Sequence, residues 1–85
     1  MNKKTATKIL NEIGHENIVH VSMKPGQYLE EHSHEWDVDI IILSGSLQIN
    51  VNKNPKILIA GDRFKLEKNI IHSEYAGMEG VTFLS

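Results

Sequence analysis

The sequence predicts an all-β fold: a small antiparallel β-barrel or jelly roll with a short N-terminal helix. Three observations carry this expectation. From Asn17 onward, short β-branched segments alternate with turn residues. Within that stretch, Ser46-Leu47-Gln48-Ile49-Asn50-Val51 alternates polar and apolar residues without a break, the mark of a half-buried strand. Only Thr5 to Ile13 carries apolar residues at helical spacing.

In chain order, the helix comes first. Thr5 or Thr7 is placed to cap it, Ile9, Leu10 and Ile13 form its apolar stripe, and Gly14 ends it. So short a stripe needs a sheet to pack on. Ile18 to Met23 reads as a strand, closed by Lys24-Pro25-Gly26, where Pro-Gly suits a type II turn. Tyr28 to His34 is extended. Val38 to Leu43 is a strand stopped by Ser44-Gly45, and Ser46 to Val51 is the next. Asn52 to Pro55 is a hairpin turn, and Lys56 to Ile59 a strand ended by Ala60-Gly61-Asp62. Phe64 and Leu66 alternate with Arg63 and Lys65, Ile70 to Tyr75 is a strand after the Lys68-Asn69 turn, and Val81 to Leu84 is the last. That makes about eight short strands, the signature of an antiparallel sandwich or barrel.

With 85 residues there is room for one domain: residues 1–16 as helix and lead-in, 17–85 as the barrel. No cysteine is present, which removes disulfides and thiolate metal sites. A formal charge of −2 with interspersed signs argues against nucleic-acid binding. The longest aliphatic run, Ile40 to Leu43, is too short to span a bilayer, and no secretory leader is indicated, so a cytoplasmic location is expected. Because that run is apolar on both strand faces, its second face needs a cover. Either the helix or another subunit would supply it, and a homodimer formed by sheet packing is expected.

Five histidines stand at 15, 20, 32, 34 and 72. His32 and His34 are two apart in an extended stretch, so they share a strand face, where two imidazoles can chelate one ion. A third from a neighbouring strand would complete a facial set with open positions. Taken alone, the pair is better read as two exposed histidines at a loop edge.

Gly26, then five residues, then His32-Ser33-His34, with Gly45 beyond, resembles the first sequence motif of the cupins. Gly61-Asp62 followed by His72 resembles the second, and the intervening Gly45 to Ala60 hairpin matches the family's order. The resemblance covers residues 18 to 84. It implies a cupin barrel in which His32, His34 and His72 face the interior and hold a divalent transition metal: iron, manganese, nickel, zinc or copper. Calcium and magnesium do not suit imidazole donors.

The chain departs from the family pattern at Val38, where a glutamate ligand is usual. Glu67 and Asn69 also replace a proline and a glycine of the second motif, although Asn69 tolerates the positive φ that such a turn requires. Three readings of Val38 stand open. The site holds its ion with three histidines alone, as in some cupin iron dioxygenases. Or a nearby acid substitutes: Asp37 or Asp39 if a bulge near Trp36 turns one inward, or Glu74 or Glu30, which share the faces of His72 and His32 by strand parity. Or the metal is lost and the histidines line a ligand pocket.

Trp36 and Tyr28 lie near the histidines as candidate pocket walls, although a core or subunit-interface role is the better reading of Trp36. Asp37 and Asp39 read equally as outer partners of a histidine and as surface acids. Ser46, Gln48 and Asn50 read as a solvated face, and His15 and His20 as surface residues. The leading functional expectation is a metal-dependent cupin that binds or transforms a small molecule, with dioxygenase or isomerase chemistry fitting such a site. A metal-free sensing or binding module is the second reading, and a barrel retained only for assembly is the third.

Overall fold

A computed structural model describes all residues, 1–85. Its elements run α1 (Lys3–Glu12), β1 (His20–Met23), β2 (Tyr28–His32), β3 (Val38–Val51), β4 (Asn54–Ile59), β5 (Arg63–Leu66) and β6 (His72–Leu84). All strand pairings are antiparallel. The path is β1-β6-β3-β4, with β2 added to β6 and β5 added to β3. The two long strands, β3 and β6, pair with each other along most of their lengths and bend in the middle. Their halves thus belong to two facing layers, β5-β3-β6-β1 and β2-β6-β3-β4, giving a jelly-roll type of β-sandwich.

Two expectations change. The count is six strands because the Ser44-Gly45 and Ala76–Gly80 segments bend the chain without breaking it. Gly45 takes φ 77° and Gly80 takes φ 76°, and the β3–β6 register shifts on either side of Gly45. A Cβ at Gly45 would run into the Gly80 carbonyl, so this crossing requires glycine. The sheet is also not closed into a barrel: β1 and β4 end its path without pairing to each other.

The inner faces of the two layers bury Met23, Val38, Ile40, Ile42, Leu47, Ile49, Leu58, Leu66, Ala76, Val81 and Phe83. The outward residues Ile41 and Leu84 are covered separately by Ala6 and Leu10 of α1. The helix therefore covers the second face of the Ile40–Leu43 run within one chain. Asn2, not Thr5 or Thr7, caps it: the Thr5 amide donates to Asn2 Oδ1 at 2.8 Å. At the other end Gly14 (φ 100°) donates to Asn11 O and His15 N donates to Leu10 O, a Schellman closure. The stripe uses Ala6, Ile9 and Leu10, while Ile13 lies at the exposed end.

The β3–β4 hairpin turns on two residues, Asn52 and Lys53, both at positive φ, so β4 starts earlier than expected. Pro55 sits within β4, which pairs on one side only and so tolerates the missing amide. No helix is long and apolar enough to cross a membrane.

Candidate metal centre

Three segments meet at one end of the sandwich: the end of β2, the following loop, and the start of β6. His32 pairs directly with His72 across β2 and β6. The loop carrying His34 is held by the Asn69 amide, which donates to His34 O at 2.7 Å. Asn69 has φ 64°, so it makes the turn expected of it despite replacing glycine. The ligating atoms of His32, His34 and His72 all lie within 4.8 Å of one another.

Two of the rings are oriented by backbone. His32 Nδ1 donates to Glu30 O at 2.6 Å, and His72 Nδ1 donates to Ile70 O at 3.0 Å. Each bond fixes the tautomer that leaves Nε2 with a free lone pair. His72 is 2 % exposed, and its Nε2 is buried without a hydrogen-bond partner. Such an orphan acceptor is costly in a native interior unless something binds it. Desolvation, and after it the charges of His32 and His72, hold the His34 pKa below its ordinary value, which keeps the ring neutral and able to ligate. These donors fit a transition-metal ion.

The four acids behave differently from one another. Glu74 is buried, and its Oε1 lies 3.8 Å from His72 Nε2. Burial raises its carboxyl pKa, partly offset by His72 and His32. Glu30 is exposed: a bulge between Leu29 and His32 adds a residue to β2, so simple parity fails there. Asp37 accepts from the Lys68 amide at 2.9 Å, and Asp39 accepts from His15 Nε2 at 2.6 Å. Both are committed away from the trio, and Val38 between them is core. His15 is thus not an ordinary surface residue. It pins the lead-in to β3 across 24 positions, a contact with no local signal in the sequence.

Tyr28 is not a wall of the interior. It sits on the outer face, its ring 6.0 Å from that of Tyr75. Trp36 does stand at the site: its ring centroid is 5.4 Å from His34, and the residue is 62 % exposed. Beside it opens a cleft of about 810 Å³, lined among others by His15, Val21, His34, Trp36 and Val38. Ser46, Gln48 and Asn50 are outward as expected, with Gln48 donating to Asn50 and Asn50 to Ser73.

Among solved structures, a conserved protein of unknown function from Streptococcus pyogenes is 28% identical with TM-score 0.73, over 79% of this chain and 58% of that one. A conserved uncharacterized protein with a double-stranded β-helix domain from Klebsiella pneumoniae is 26% identical with TM-score 0.68, over 79% and 61%. The chain therefore spans less than two thirds of the length of these two. A cupin-2 domain protein from Shewanella frigidimarina, at 21% identity and TM-score 0.72, matches over 99% of this chain and 90% of its own, and shows the shared fold. A search of curated proteins finds no match. The cupin domain family model matches residues 19–80, which include all three clustered histidines and both bends of the sandwich, and the chain belongs to that family.

Proposed function

We propose that this chain is a small metal-dependent cupin that binds or transforms a small molecule, its ion held by His32, His34 and His72. The observation that carries the reading is the buried, unpartnered Nε2 of His72, facing two further imidazoles within ligand distance. Zinc, iron, nickel or copper suit such donors best, manganese less well. When bound, the ion would supply Lewis-acid polarisation or oxygen activation, the chemistry behind an isomerase or dioxygenase. The chain's own contribution is orientation by the Glu30 and Ile70 carbonyls, a neutral His34, and a buried carboxylate at Glu74 as additional ligand or outer partner. A homodimer belongs to the same reading, with the exposed outer-face residues Tyr28, Tyr75 and Ile57 as the packing surface. A monomer in light scattering removes that part.

The test is elemental analysis of untagged protein beside a His32→Ala, His34→Ala double variant after exposure to divalent metals. Near-stoichiometric metal in the wild type that disappears in the variant supports the centre. No metal in either well-folded protein overturns it. A metal-free binding module is the second reading, favoured by the cleft beside Trp36, whose walls do not require an ion.

A further inference from the structure

The cleft beside His34 has features that the three histidines do not explain. Its volume, about 810 Å³, is within the range of small-molecule sites. One wall is Trp36, the only tryptophan of the chain, which lies largely outside the core. Val19 and Val21 offer an apolar surface beside it, and Val19 is 58 % exposed. The charged lining residues are Glu16, Asp37 and Asp39, with no lysine or arginine among them. Of the two histidines in the lining, His15 is engaged by Asp39 and His34 belongs to the trio.

We propose that this cleft is a binding subsite for a small organic cation with an apolar body. The reasoning is charge complementarity joined to shape. An indole face is the strongest aromatic partner for an ammonium group, and the interaction strengthens as water leaves. The acids are fixed in place: Asp37 by the Lys68 amide through Oδ1, and Asp39 by His15. Because Asp37 uses one oxygen on that amide, the other remains for a donor on the ligand. An anionic ligand meets the carboxylates of Glu16 and Asp37 and no lysine or arginine, so the same surface rejects it. His34 lies on both the cleft and the trio, which places the ligand's body next to the ion-binding end. That last placement rests on the proposed metal centre; the cation subsite itself does not.

The test uses metal-free full-length protein, so its outcome is separate from that of the metal assay. Because Trp36 is the sole tryptophan, its fluorescence reports on this wall alone. Benzylammonium, benzyl alcohol and benzoate are titrated as matched probes. The expected result is a saturable fluorescence change with benzylammonium, roughly tenfold tighter than with the alcohol, and none with benzoate. Raising salt from about 0.05 to 0.5 M weakens the cation several-fold and leaves the alcohol unchanged. Glu16→Gln with Asp37→Asn removes the preference for the cation. If loss of the Lys68 contact unfolds that variant, Glu16→Gln alone reduces the preference. Trp36→Leu, followed by calorimetry, abolishes binding. Equal or tighter binding of benzoate or the alcohol, or no saturable response to any probe, overturns the proposal.

Discussion

Replacing Glu74 by glutamine separates a functional carboxylate from a structural one. The side chain is buried in an interior otherwise built from aliphatic residues and histidines, and its one polar contact is His72 Nε2, at 3.8 Å. That separation is too long for a hydrogen bond. A buried polar group without compensation costs about 1–3 kcal/mol by mutational measures, and a charge adds to it. Glutamine keeps the shape and removes the charge, so the metal-free variant gains about 1–2 kcal/mol. For a chain of this size that is a rise of roughly 4–16 °C in Tm. The sign with pH follows from the raised carboxyl pKa. The native state holds this proton more tightly than the unfolded chain, so the contribution is favourable below pH 4.5 and is lost as pH rises through the folded pKa. The advantage of the variant is therefore absent at low pH and full near neutrality. In the same variant metal affinity falls, because a carboxylate beside the ligating Nε2 of His72 no longer offsets the ion's charge. The assays are thermal unfolding of metal-free protein across pH and competitive metal titration. A lower Tm at neutral pH with unchanged metal affinity would refute the reasoning and make Glu74 a structural residue.

Four further outcomes are expected. His34, with its lowered pKa, makes metal-free stability fall as pH drops below 6.5 and through the folded pKa; a pH series of unfolding curves shows the loss, and His34→Gln removes it. Gly45→Ala sets a Cβ against the Gly80 carbonyl at φ 77° and destabilises by about 3 kcal/mol, read by denaturant unfolding. Ile41→Ala empties a fully buried position between α1 and the sheet and costs about 2–5 kcal/mol in the same assay, with metal affinity unchanged. Deleting Glu31 removes the extra residue of the β2 bulge and restores plain alternation from Leu29 to the histidine, so metal binding survives but weakens with the loss of the Glu30 carbonyl contact to His32; loss of all binding in a folded deletion variant would count against the bulge account.

What could be seen in the sequence depended on range. The alternation at Ser46 to Val51 needs only its own residues to define an inner and an outer face, and Leu47 and Ile49 are fully buried as it requires. The clustering of the three histidines is legible too, because spacing and strand parity are local and the two motifs supply the pairing. Parity failed at Glu30, where one additional residue in β2 shifts the register, and a bulge leaves no dependable mark in composition. Strand ends at Ser44 and Ala76 were misplaced for a related reason: glycine at positive φ marks a stop and a bend alike, and only the partner strand decides which. The His15–Asp39 contact joins the lead-in to β3, and no pattern in either segment announces it.

The division of the core explains how so short a chain can tolerate polar groups inside. Small domains bury a modest share of their surface and have little stability to spare. Here the buried apolar residues form two separate clusters, one between the layers and one beneath α1. The second lies on the opposite side of β3 from the histidines, so the helix adds burial without occupying interior volume. Between the layers, Val38 and Ile49 hold aliphatic positions near the site, and His72 and Glu74 replace hydrophobic residues only at the start of β6. The unpartnered Nε2 of His72 and the largely buried carboxylate of Glu74 thus sit at one end of the sandwich, where their cost is confined to a few neighbours. An ion at the three histidines would bind the native state and not the unfolded chain, so its binding would offset that cost directly. Metal binding and folding stability would then be linked through the same two side chains, the metal-free protein being the weaker of the two forms.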